Sequence, residues 1–176
     1  MILRVFQGEV ALQCRFIARA GSRLDAALAA GDTDDAWLLL QVILTSAANV
    51  SKLLWGSSGN REKERGLLRQ SLATPDDSVL RDPDLRNDFE HFDERVERWF
   101  AKETPRIYLA RNIAPEGQIQ LGVPYERFQH FDPETGEVTF WDNTVSVPAV
   151  VAEAQRILKA AEIELNRWMQ PPEQAA

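Results

Sequence analysis

Between Ile2 and Trp55 a single Gly31-Asp32 step separates two segments whose apolar residues recur at helical spacing. In the first, Leu3, Phe6, Val10, Cys14, Ile17, Leu24 and Leu28 fall on one stripe, with Arg4, Arg15, Arg19 and Arg23 mainly on other faces. That pattern predicts one long amphipathic helix over residues 2–30. Gly21 sits on the stripe, where a missing side chain would let a neighbouring helix come close, at a cost of roughly 1 kcal/mol in helix propensity relative to alanine. Gly31 ends the helix. Asp32 or Thr33 can cap the next one, with Asp34 and Asp35 near its positive end, and it should run to about Trp55 before Gly56-Ser57-Ser58-Gly59. So short a link requires an antiparallel helical hairpin. The second helix is apolar around most of its circumference, but Gln41, Thr45, Asn49 and Lys52 share a narrow stripe that faces either solvent or a cleft or subunit interface.

A chain of 176 residues, 44% of them hydrophobic, fits a single domain spanning 1–176 with a sizeable core. Its net charge of −7 argues against a protein whose main role is to clamp nucleic acid electrostatically, while leaving room for local basic patches. The lone cysteine, Cys14, reads as a small core side chain beside Leu12, Phe16 and Ile17. The apolar run Ala36 to Trp55 is interrupted by Gln41, Thr45, Ser46, Asn49 and Lys52, which suits a buried helix better than a membrane span. With no signal-peptide pattern at the start, the expected location is cytoplasmic, away from membranes.

Further along, Asn60-Arg61-Glu62-Lys63-Glu64-Arg65 alternates in charge as a solvated face does, and Leu67, Leu68 and Leu72 form a short helical patch. Arg65 and Arg69 are minor phosphate-binding candidates. Thr74-Pro75-Asp76-Asp77 reads as a loop. Asp82-Pro83 then opens a helix to about Lys102, anchored to the core by Leu85, Phe89, Phe92, Val96, Trp99 and Phe100. After Thr104-Pro105 extended structure is expected at Ile107 to Ile113 and Ile119 to Val123, followed by a β-hairpin, Phe128 to Phe131 and Val138 to Trp141, turned by Asp132-Pro133-Glu134-Thr135-Gly136. Ser146 caps a final helix, Val147 to Met169. The fold expected is therefore mainly α, an antiparallel helical bundle with a small antiparallel β-hairpin or meander inserted near 107–141. His130 reads as a strand-surface residue, with no neighbouring cysteine or second histidine to make a metal site. No glycine-rich phosphate loop, cysteine pair or serine nucleophile motif occurs, so neither metal nor cofactor is expected.

The remaining chemistry lies in Leu85-Arg86-Asn87-Asp88-Phe89-Glu90-His91, which holds one of only two histidines. Arg86-Asn87-x-x-x-His91 resembles the Arg-x4-His signature of the HEPN superfamily, and the long amphipathic and apolar helices before it resemble that superfamily's helical part, about residues 1–102 with the final helix. The segment is also similar to an uncharacterised bacterial group of this type. The β-rich stretch departs from the simple helical pattern.

This resemblance implies a HEPN-like domain and a metal-independent, toxin-like endoribonuclease with Arg86, Asn87 and His91 at its centre. It further implies a homodimer, an RNA substrate and a protein antitoxin as partner. On one helix Arg86 and His91 stand about 140° apart, so they do not meet within a chain; two motifs facing each other across a dimer would bring them together. The alternative is a noncatalytic HEPN-like binding or structural dimer module. The carboxylates Asp88, Glu90, Asp93 and Glu94 around the motif favour it, because they repel phosphate unless paired or turned away.

Overall fold

A computed structural model describes residues 2–56, 59–81, 92–102, 107–141 and 143–167. The protein is mainly α with a small β-region. α1 (Ile2–Ala30) and α2 (Thr33–Trp55) are followed by two short helices, α3 (Gly59–Glu64) and α4 (Gly66–Ser71), and a 3₁₀ turn at Val79–Arg81. α5 (Phe92–Lys102), six strands and α6 (Val147–Arg167) complete the order.

The turn after α1 forms as its residues dictate. Gly31 takes φ +67°, and the Asp32 carboxylate accepts the Asp35 N–H at 3.0 Å. Arg23 pairs with Asp35 near the turn and Asn49 donates to Gln13 far from it, so α1 and α2 run antiparallel. Thirteen residues of α2 are buried, which accounts for a helix apolar and long enough to pass for a membrane span. On its polar stripe Gln41 and Thr45 are exposed, whereas Asn49 and Lys52 are half-buried.

α6 packs along α1. At Gly21 an added Cβ would lie 2.8 Å from Val151 Cγ2, so the close approach foreseen for this glycine is made by α6. Val10, Cys14, Ile17, Leu40, Ile43, Leu44, Val150, Ala154 and Ile157 form the centre of the core, each 1% exposed or less. Burial pushes the Cys14 thiol up to about 12, as for an inert core side chain, with Glu153 adding to the rise and Arg156 opposing it. Residues 72–81 are clamped onto α6: Ser78 donates to Glu153 at 2.7 Å, and Arg156 binds both Glu153 and the Ala73 carbonyl.

The β-region extends to Ser146, past the expected limit of 141. β4 (His130–Asp132), β5 (Glu137–Phe140) and β6 (Asn143–Ser146) form the antiparallel meander. β2 (Asn112–Ile113) joins it by lying parallel along β4, while β1 (Tyr108–Leu109) and β3 (Glu126–Arg127) pair parallel as a separate two-stranded sheet. Ile119–Val123, expected as a strand, is irregular. Its partner positions are taken by Glu126 and Phe128, whose N–H groups bond the Ile107 and Leu109 carbonyls, while Tyr125 Oη donates to the Ile119 carbonyl and Gly122 turns at φ +69°. Leu121 and Val123 are left 44% and 47% exposed.

The described end of the predicted signature helix also departs from expectation. Trp99 packs on Phe128 and Tyr108 of the β-region, not into the helical core, and Phe100 is 54% exposed. Leu85 and Phe89 lie outside the described residues.

Candidate functional site

Arg86, Asn87 and His91 lie outside the described residues. α5, described from Phe92 onward, leads the chain toward an aromatic group. There the Tyr108 and Phe128 rings stack at 4.9 Å and 8°, Trp99 meets both edge-on, and Trp141 tilts against Phe128 at 4.8 Å. The Arg95 guanidinium lies 5.7 Å from the Trp141 ring centre.

The described polar cluster of most chemical interest surrounds the other histidine, and here the expectation of a strand-surface residue is corrected. His130 is 3% exposed. Three residues earlier on the same segment, Arg127 binds Glu116 Oε2 at 2.5 Å. Because β2 runs parallel to β4 with Asn112 opposite His130, the Asn112 amide meets the ring at Nδ1, and Nε2 lies 3.7 Å from Glu116 Oε2. An amide donor at Nδ1 fits the neutral ring with its proton on Nε2. Burial, with Arg127 nearby, pushes the His130 pKa below its ordinary value against the opposing pull of Glu116 and Asp132.

Asp132 is 6% exposed and organises the loops on both sides of its strand. One oxygen accepts the Glu116 N–H at 2.9 Å; the other accepts the Glu134 and Thr135 N–H groups at 2.8 and 3.3 Å. Burial alone would raise this carboxyl, but the three N–H groups outweigh it and hold the pKa below the usual carboxylate range. Glu116 is likewise held low, chiefly by its bond from Arg127. The resulting Asn112–His130–Glu116–Arg127–Asp132 cluster is a structural knot that fixes β2 and the loops around β4, although Asn112 Oδ1 and His130 Nε2 are buried without a hydrogen-bond partner among the described residues. Nothing in the sequence pattern signalled it, since the clue is Asp132 at a turn start followed by Gly136, and that clue speaks only for the turn.

Elsewhere, the cations singled out in the charged segment have structural duties. Arg69 donates to the Leu54 and Glu62 carbonyls and pairs with Asp76, and Arg65 lies over the Phe6 ring at 3.8 Å. A groove of about 430 Å³ opens between α1, the β4–β5 turn and the start of α6, with Leu24, Val151 and Pro148 as apolar wall and Asp25 and Glu134 at its lining. Among the described residues no group of three or more His, Cys, Asp or Glu side chains is arranged to hold a metal ion. No family model, curated protein or solved structure matches the chain.

Proposed function

We propose that the protein is a HEPN-like, metal-independent endoribonuclease that works as a homodimer. The observation that carries this reading is Arg86-Asn87 placed five and four positions before His91, in a mainly α chain that opens with two long antiparallel helices. RNA brings its own nucleophile. His91 would take the proton from a ribose 2′-hydroxyl, whose oxygen attacks the adjacent phosphorus while the bond from phosphorus to the 5′-oxygen breaks. The leaving oxygen would receive its proton from His91 of the partner subunit. The products are a 2′,3′-cyclic phosphate and a 5′-hydroxyl. Arg86, always charged and able to donate two parallel hydrogen bonds, would hold the phosphate as negative charge builds on its oxygens. Asn87 would orient the imidazole or the sugar. A protein antitoxin is the natural partner for such an activity.

A noncatalytic binding module is the second reading. It draws on the net charge of −7 and on Asp93 and Glu94, both exposed on the first turn of α5 immediately beyond the motif. The two readings separate in one assay: purified protein, single-stranded RNA and excess chelator, with wild type set against His91→Ala and Arg86→Ala. Cleavage by wild type that leaves 2′,3′-cyclic ends and falls at least about 100-fold in both variants supports the ribonuclease, in line with the roughly 10²–10⁴-fold worth of a positioned acid or base. Equal activity in all three proteins removes the motif from the mechanism.

A further inference from the structure

α1 carries a second apolar stripe, on the side away from its core contacts, that no element among the described residues covers. Ile2 is 73% exposed, Val5 67%, Leu12 38% and Phe16 39%. At 100° per residue these four, with Glu9, Arg19 and Arg23, fall within one third of the helix circumference. They repeat as a heptad: Ile2, Glu9, Phe16 and Arg23 occupy one seam position, and Val5, Leu12 and Arg19 the other. The side chains flanking Cys14 are thus split, with Ile17 buried and Leu12 and Phe16 turned outward.

We infer that this stripe is an interface for a second copy of the chain, docked with its α1 antiparallel across a two-fold axis at the level of Cys14. The argument is charge complementarity of the stripe with itself. In an antiparallel seam the two heptad positions alternate across the axis, so Leu12 meets Phe16 of the partner subunit and Glu9 meets Arg19 of the partner subunit, and each contact occurs twice. Both layers are centred on Cys14 and therefore form in a single register. The outermost layer sets Arg23, whose guanidinium is already held by Asp35, with its aliphatic stem over Val5 of the partner subunit. A parallel arrangement would oppose Glu9 to Glu9 and Arg19 to Arg19, so the charges select the antiparallel one. Arg19 makes no ion pair with any described side chain, which leaves it available; Glu9 accepts a bond from the Gln13 amide on its own helix. Within one chain Glu9 and Arg19 lie about 15 Å apart along the axis, too far to touch.

This interface does not rest on the ribonuclease reading, and its test reads mass instead of cleavage. Sedimentation of the wild-type chain should give a dimer at micromolar concentration. Leu12→Glu should raise the dissociation constant at least about 100-fold, as burying a charge at the centre of an interface does, with the helical circular dichroism unchanged. Glu9→Arg and Arg19→Glu should each weaken the dimer about 3–10-fold, and the double swap should recover most of that loss, because it exchanges the charges without removing the pair. Recovery separates the interface from a folding defect. A wild-type monomer at about 100 μM, a dimer indifferent to Leu12→Glu, or a double swap as weak as the worse single would overturn the proposal. So would a monomer that binds phosphatidylglycerol vesicles through the same residues, which would assign the stripe to a lipid surface.

Discussion

The helical layers and the small sheet are held together by different means, and the contrast explains most of this protein's behaviour. α1, α2 and α6 meet through fully buried aliphatic side chains such as Ile17, Leu44 and Ile157, whose contribution comes from apolar area removed from water. The strands are two to four residues long and could not persist by pairing alone. They are fixed from the side: Asp132 gathers three N–H groups, Asn112 holds His130, and Trp37 of α2 donates its indole N–H to the Arg111 carbonyl at 2.7 Å. An apolar core fails globally when a side chain is removed, whereas a polar knot can open by itself.

The largest effect should come from the core. Ile17→Ala or Ile157→Ala is expected to cost about 2–5 kcal/mol in denaturant unfolding, with helix and sheet signals lost together. Asp132→Ala should cost about 2–3 kcal/mol, since a charged acceptor and its three donors are separated. Hydrogen exchange would localise the loss: amides of residues 112–140 should exchange faster while those of α1 and α2 keep their protection. Equal acceleration in the helices would break the distinction drawn here. Next, Gly21→Ala should be destabilising by about 1 kcal/mol even though alanine favours the helix, because the new methyl meets the stiff Val151 side chain. Pairing it with Val151→Ala should give less than the sum of the two single losses in a double-mutant cycle.

The smallest expected effect is the pH dependence of the sheet. The folded-state pKa of His130 lies below the ordinary 6.5, so the unfolded chain takes up its proton first as pH falls. The stability contributed by the neutral ring is present above about pH 6.5 and is lost between there and the lower folded value. Asp132 and Glu116 act in a separate window, because their depressed pKa values make their contributions fail only below the ordinary 3.8 and 4.5. His130→Gln should flatten the first slope in a melting series from pH 7 to 5 and leave the second. An unchanged slope would mean that the imidazole is solvated.

Legibility followed the same division. α1 was readable to its ends because 3.6-residue periodicity and a terminal glycine are local properties, and α2 because a capping aspartate is one too. Gly21 announced a close approach without saying that α6 makes it. The hairpin turn was visible in Asp132-Pro133 and Gly136, but β3 and β6 were not, and Ile119–Val123 looked like a strand because β-propensity measures fitness for a pleated surface and not the presence of a partner. His130 looked solvent-facing since its cover comes from Asn112 and Glu116, up to eighteen positions away in the chain.

By itself, then, the sequence determined the two long opening helices and the final one, the Asp32 and Ser146 caps, the antiparallel hairpin, the β4–β5 turn and an Arg86-Asn87-His91 spacing that invites a test on RNA. Those are consequences of local periodicity and backbone stereochemistry. Only the tertiary structure decided that His130 is enclosed, that Asp132 ties the Glu116 loop and the Glu134–Thr135 turn to its strand, and that among the described residues α1 is covered along one stripe and bare along another. Each of these depends on which distant residues arrive beside a side chain, and distance in space is not written in distance along the chain.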